Sequence, residues 1–218
     1  MSAETIAVVG GTGNLGAALA RRLAKAGHRV VIGSRSAESA RAAAENLGLG
    51  ITGTTNAEAA NIGDIVIITV PFAAQGDALR EIAPKAAGKI VVDTTVPLVP
   101  PKVMRVQLPS EGSAATRAQA MLGAGVTVVS AFHNVAAHKL ATDEAVDCDV
   151  LVFGDDKDAR EKIVRLAKDV GLRGLHGGAL ANSAAAEALT SVLIFLNRTY
   201  SVDGAGIRIT GKLIEPGR

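Results

Sequence analysis

Tryptophan is absent from this sequence, and the remaining aromatics are four phenylalanines and one tyrosine. A surface that stacks single-stranded nucleic acid needs exposed rings, so the composition argues against that partner. Cysteine occurs once, at Cys148, which excludes an intramolecular disulfide framework and a cysteine-based zinc cluster. Neither sign of charge dominates: 23 Lys and Arg face 21 Asp and Glu, with no block of like charge. The small excess points to neither a nucleic acid nor an anionic membrane. Long apolar runs are also missing, because "IVIITVPFAA" and "SVLIFL" are too short to cross a bilayer. The N-terminus reads straight into a strand, without the charged and apolar regions of a signal peptide. These absences together lead us to expect a cytoplasmic protein without a membrane span.

What is present is small and aliphatic. Hydrophobic residues make up 48% of the 218, enough for one well-buried core built from Ala, Val, Leu and Ile. Short β-branched runs alternate with Ala-rich stretches. Strands are expected at 5–9, 29–33, 64–70, 89–95, 126–132 and 149–154. Helices are expected near 14–26, 37–47, 72–83, 156–170 and 182–201. The strands are continuous apolar runs, which suits a parallel sheet covered on both faces. The expected fold is therefore α/β, a Rossmann-type doubly wound, mostly parallel sheet with a small C-terminal helical part. Residues 1–178 would form the dinucleotide-binding domain, and 179–218 a helical segment completing the second site. Residues 96–123 carry four prolines and read as a long polar excursion. The 182–201 helix carries an apolar stripe of Ala185, Leu189, Val192, Leu193, Leu196 and Tyr200. A 17-residue tail follows it.

The stretch "GGTGNLG" contains Gly11-x-Gly13-x-x-Gly16, directly after a strand and opening a helix. A ligand-free strand–turn–helix connection would share these glycines, but the flanking elements favour a dinucleotide turn. The first glycine permits the turn, the second lets backbone approach a pyrophosphate, and the third lets helix pack on strand. The helix N-terminus then faces the anion. At the end of the second strand an NAD site usually carries an acid for the ribose hydroxyl. Here the chain reads Gly33-Ser34-Arg35-Ser36, and Ser34 and Arg35 are able to donate to a 2′-phosphate. NADP(H) is the preferred cofactor, the alternative being an Arg35 that merely begins the next helix at the surface.

Ligands in open α/β sheets bind beyond the carboxyl ends of the strands. Those ends are Gly10–Gly13, Ser34–Ser36, Val70-Pro71-Phe72, Thr94–Pro97 and Ala131–Asn134. His133 is the one titratable side chain that strand logic places there. His28 lies on the wrong edge, and His176 follows the last expected strand in a Gly-rich turn. Thr190 and Glu187 stand one turn apart on the C-terminal helix, where Glu187 reads as solvent-exposed. A short-chain dehydrogenase would need a Tyr-x-x-x-Lys pair, but the only tyrosine is Tyr200 and position 204 is Gly. Walker and Ser-His-Asp patterns are missing too. Two readings of function stay open at this point: reduction of a flavin or other small acceptor, and a non-catalytic NADP(H)-binding redox sensor.

The chain resembles the NADPH-dependent reductases of coenzyme F420, the 8-hydroxy-5-deazaflavin carrier. The likeness runs nearly end to end. It rests on "VVGGTGNLGAALARRLAKAGHRVVIGSR", "IVIITVPF", "KIVVDTTVPLVP", "VVSAFHNVAAHKL", "DVLVFGDDKDAREKIVRL" and "GALANSAAAEALTSVLIFLNRTY". The resemblance implies a homodimer that moves a hydride reversibly between NADPH and C5 of the deazaflavin. By matching position, Thr12, Gly13, Asn14 and Leu15 would hold the pyrophosphate within the Gly11–Gly16 turn. Ser34 and Arg35 would hold the 2′-phosphate, and Val70, Pro71 and Ala137 would lie along the rest of NADP. His133, Val135 and Thr190 would border the deazaflavin, with His133 and Thr190 closest to the chemistry. Three departures accompany the likeness. A family arginine falls on Ala184, a family serine on Ala188, and a basic residue early in the second helix on Ser39, with Arg41 nearby.

Overall fold

The computed structural model describes residues 4–214, so the last four residues of the expected tail, 215–218, lie outside it. Eight strands form one sheet in the order β3-β2-β1-β4-β5-β6-β7-β8. The strands are β1 (Thr5–Val9), β2 (Arg29–Ser34), β3 (Thr52–Thr55), β4 (Ile65–Ile68), β5 (Ile90–Asp93), β6 (Thr127–Ser130), β7 (Asp149–Phe153) and β8 (Arg173–Gly178). The first six are parallel, in the doubly wound order that reverses direction between β1 and β4. β7 meets β6 antiparallel through the single pair Ser130–Phe153, and β8 then runs parallel to β7.

Helices cover both faces, which is why β1 and β4 are buried throughout. On one side α1 (Asn14–Lys25), α2 (Ala37–Leu47), α6 (Ala137–Leu140) and α7 (Lys157–Asp169) bury Leu19, Leu23, Ala40, Leu140 and Ile163 against the sheet. On the other, α3 (Asn56–Ile62), α4 (Phe72–Ile82) and α5 (Ala114–Leu122) bury Ala59, Leu79, Ile82 and Ala118. Alanine dominates these contacts, so helices approach the strands closely without aromatic filler. The last helix, α8 (Ser183–Tyr200), follows β8.

Four expectations need correction. β3 and α3 occupy a stretch without an expected element, because "TGTT" is a short, partly exposed edge strand and α3 has only seven residues. The excursion after β5 is irregular only to residue 113, where α5 begins. Ser113 starts it with a capping box: its hydroxyl accepts from Thr116 N at 2.9 Å, and the Thr116 hydroxyl accepts from Ser113 N at 3.0 Å. His176 lies within β8 rather than in a turn beyond the last strand.

The fourth correction concerns α8. With its preceding turn it spans Leu180–Tyr200 at mean hydropathy 1.3, long and apolar enough by length and composition to cross a membrane. Yet the face it buries holds Ser183, Ala186, Glu187, Ser191 and Leu193. Of the expected stripe only Leu193 is buried, while Val192 and Tyr200 are exposed. Polar side chains point inward here because partners meet them at the start of α5 and in the excursion before it.

Candidate functional site

The turn after β1 is shaped by contacts that leave no room for side chains. Gly10 takes φ +75°, and a Cβ there would meet Val70 Cγ1 at 2.6 Å. A Cβ on Gly11 would stand 2.7 Å from Ile32 Cβ and 2.8 Å from Val8 O. One on Gly16 would meet Thr69 Oγ1 at 2.5 Å and Gly11 Cα at 2.8 Å, so α1 lies directly on the turn and on β4. Gly13 is different: its nearest neighbour would be Gly10 O at 3.4 Å, and the residue is exposed. Its missing side chain leaves backbone open to the crevice.

α1 starts immediately after this open residue. No side chain caps its N-terminus and no acid stands in its first turn. Thr12, Gly13 and Asn14 are exposed and Leu15 half-buried. Unsatisfied N–H groups at the positive end of a helix fit an anionic pyrophosphate. These residues therefore fit the dinucleotide.

β2 delivers Ser34, half-buried, and Arg35, exposed, one strand away from the turn. Among the described residues no carboxylate pairs with Arg35, and the neighbouring Ser36 hydroxyl is occupied capping α2. Val70 is half-buried against Gly10, and Pro71 opens α4 at the surface. Ala137 opens α6 and, with Asn14, lines a cleft of about 410 Å³ that continues along α1 to Arg21.

One supporting residue escaped the sequence reading. Asn56, 3% exposed at the start of α3, accepts through Oδ1 from Gly10 N at 3.2 Å. Its Nδ2 donates to Glu81 Oε2 at 3.1 Å, so a residue of α4 orients the amide that holds the turn. A buried asparagine at a helix start has no distinctive spacing in sequence.

The second cluster forms where β6 ends. Phe132 is buried at φ +65°, a left-handed conformation that is uncommon for a bulky side chain. The chain turns sharply there, and His133 folds back so that its Nε2 lies 2.7 Å from Ser130 Oγ. Burial pushes the His133 imidazole down to about 3, so the ring is neutral at physiological pH. Asn134 reaches α8: its Nδ2 donates to Ala186 O at 2.9 Å and to Thr190 Oγ1 at 3.1 Å. The Thr190 hydroxyl lies 3.2 Å from His133 O and 3.3 Å from Ala186 O, and donates to one of them. His133, Asn134, Val135 and Thr190 border a cavity of about 140 Å³ that Asn197 and Ala205 also line.

The residues expected to bind thus fall into two groups. Gly11–Gly16, Ser34, Arg35, Val70 and Pro71 lie along the edge of β1, β2 and β4. His133, Val135 and Thr190 lie together beyond β6, with Ala137 between the groups. Glu187 corrects its expectation of exposure. It is 1% exposed, and its carboxyl accepts from Ala114 N at 2.6 Å and Ala115 N at 3.2 Å. Ala184 and Ala188, where the family likeness places polar residues, are half-buried.

Comparison with known proteins identifies the family. A family model described as NADP oxidoreductase, coenzyme F420-dependent, matches residues 5–97. The F420-dependent NADP reductase of Methanothermobacter thermautotrophicus is 41% identical, with 94% of each chain covered. The F420-dependent NADP reductase of Methanocaldococcus jannaschii is 39% identical over 94% of this chain and 97% of its own. The crystal structure of a proposed F420-dependent NADP reductase from an Arthrobacter species superimposes with a TM-score of 0.82 at 27% identity. That match covers 94% of this chain and 99% of the other.

Proposed function

The chain belongs to the F420-dependent NADP oxidoreductase family, and on that premise we propose that it transfers a hydride reversibly between NADP(H) and coenzyme F420. The observation that carries this reading is the pairing of an anion-ready glycine turn with a neutral, buried His133 across one sheet edge. In this reading residues 1–178 bind the dinucleotide, and 179–218 complete the acceptor site and contribute to a homodimer in the cytoplasm. The Asn14 and Leu15 amides face the pyrophosphate, while Ser34 and Arg35 take the 2′-phosphate. An exposed cation with no carboxylate beside it suits that phosphate, and an acid there would repel it.

When bound, NADPH supplies a hydride directly to the deazaflavin, which requires the two rings to stack with reacting carbons roughly 3–3.5 Å apart. The protein's part is alignment. A histidine that stays neutral down to about pH 3 is a poor general acid at neutral pH, so His133 serves as an orienting group. Its carbonyl and the Asn134 amide are tied to Thr190, which fixes the wall against which the acceptor ring lies. The cavity of about 140 Å³ is small for a tricyclic ring, so it receives an edge of the ring rather than the whole.

The test is a panel of acceptors. The protein is mixed with NADPH and, in turn, F420, FMN or no acceptor, and NADPH loss is followed together with deazaflavin bleaching. F420-dependent oxidation of NADPH is expected. Oxidation with FMN alone would move the assignment to flavin reduction, and binding without turnover would move it to a redox sensor.

A further inference from the structure

Glu187 has no part in the functions read from sequence, yet it is among the most deeply buried ionisable groups of the chain. Among the described residues it has no cationic partner. Its two oxygens accept instead from the first N–H groups of α5, Ala114 at 2.6 Å and Ala115 at 3.2 Å. One turn earlier on α8, the Ser183 hydroxyl donates to the Ser113 hydroxyl, the N-cap of α5, at 2.8 Å. α8 therefore meets α5 through a polar seam. A seam of this kind permits one rotational setting, because a buried carboxyl that loses its donors is costly. Apolar side chains would tolerate several.

The setting matters because Thr190 stands three residues after Glu187 on the adjoining face of the same helix. Rotating α8 would withdraw Thr190 Oγ1 from His133 O and from Asn134 Nδ2, now 3.2 and 3.1 Å away. The seam also connects backward to the sheet. Ala114 O accepts from Gln75 Nε2 at 2.9 Å, and the same Nε2 donates to Asp93 Oδ2 at 2.5 Å. Asp93, fully buried, pairs in register with Ser130, whose hydroxyl holds His133 Nε2. A path of neighbouring residues thus starts at His133 just past β6, passes through β5, α4, α5 and α8, and returns to His133 through Thr190. We propose that Glu187 is a positioning residue for the acceptor site: seated on α5, its carboxyl fixes the rotation of α8 that holds Thr190 against His133 and Asn134. The proposal rests on the hydride-transfer reading above.

The test compares the full-length protein with Glu187→Ala, Glu187→Gln, Thr190→Ala and the Glu187→Ala/Thr190→Ala double variant. Read out are NADPH affinity by titration, kcat/KM for F420, and hydrogen exchange of residues 131–136. Glu187→Ala should lower kcat/KM for F420 by roughly tenfold to a hundredfold, the cost of a small misplacement remote from the chemistry. NADPH affinity should stay within about twofold, and Glu187→Gln, which keeps one acceptor oxygen, should fall between wild type and Glu187→Ala. The double variant should be no slower than Thr190→Ala alone, since coupled residues are not additive. Equal loss of NADPH affinity, or single effects that simply multiply, would overturn the proposal. Should Glu187→Ala not fold, Glu187→Gln carries the same comparisons. Should the wild type reduce no F420, the functional reading fails separately, and exchange decides the latch: faster exchange of 131–136 in Glu187→Gln supports it, and unchanged exchange overturns it.

Discussion

At the scale of single residues, the proposed function divides the labour between the arginine after β2 and the histidine after β6. Arg35 is exposed and free of carboxylates among the described residues, so its guanidinium is available to a phosphate. Arg35→Ala should weaken NADPH binding by roughly tenfold to a hundredfold, the worth of a charge-assisted bond, and leave NADH binding nearly unchanged. Equal loss for both dinucleotides in a fluorescence titration would contradict a 2′-phosphate role. His133 is buried and neutral, bonded to Ser130 and backed by Thr190. His133→Ala should slow hydride transfer or weaken F420 binding by roughly tenfold or more while sparing NADPH affinity, as expected for an orienting group. Unchanged single-turnover rates would reduce His133 to a structural residue. Both positions are legible in sequence because each follows a strand whose end is fixed by an apolar run. Asn56 and Glu187 are not legible, because a polar residue on an Ala-rich helix reads as its solvated face. Only the neighbouring helix supplies the N–H groups that turn Glu187 inward.

At the scale of elements, the seam between α5 and α8 carries a measurable pH signature. Burial, opposed by the Ala114 and Ala115 N–H groups, pushes the Glu187 carboxyl up to about 7. The folded protein therefore holds this proton more tightly than the unfolded chain. The stabilisation is complete below the ordinary Glu range and is lost as pH rises from there through about 7. Wild type should lose up to about 3 kcal/mol across that window relative to Glu187→Gln, whose stability lacks this dependence. Urea unfolding of both proteins at several pH values measures it, and parallel curves would contradict it. The elements legible in sequence were the long ones with unbroken apolar runs or clear stops. β1, β2, α1 and α2 are of this kind, with α1 ending just before Gly27. β3 and β8 were not, since one is a polar edge strand and the other is glycine-rich, half-exposed and paired only with β7. α5 was hidden by the prolines before it and by a capping box that uses Thr116 where Glu or Gln is the familiar partner.

At the scale of the whole molecule, the order β3-β2-β1-β4-β5-β6 sets the carboxyl ends of these six strands on one edge, with the switch point between β1 and β4. α8 lies outside this frame, with its polar side inward and Val192, Phe195 and Tyr200 exposed. For the homodimer we expect a sedimentation mass twice the 22.1 kDa of the chain, and Phe195→Glu should shift it toward the monomer. A wild type that sediments as a monomer at micromolar concentration would contradict that expectation. The central claim concerns what crosses between the two bound rings. It is tested most directly by supplying F420 with NADPH deuterated at the transferable nicotinamide position and reading the product by mass spectrometry. Direct transfer predicts one deuterium at C5 of the reduced deazaflavin. Solvent hydrogen at that carbon, or no reduced deazaflavin at all, would contradict it.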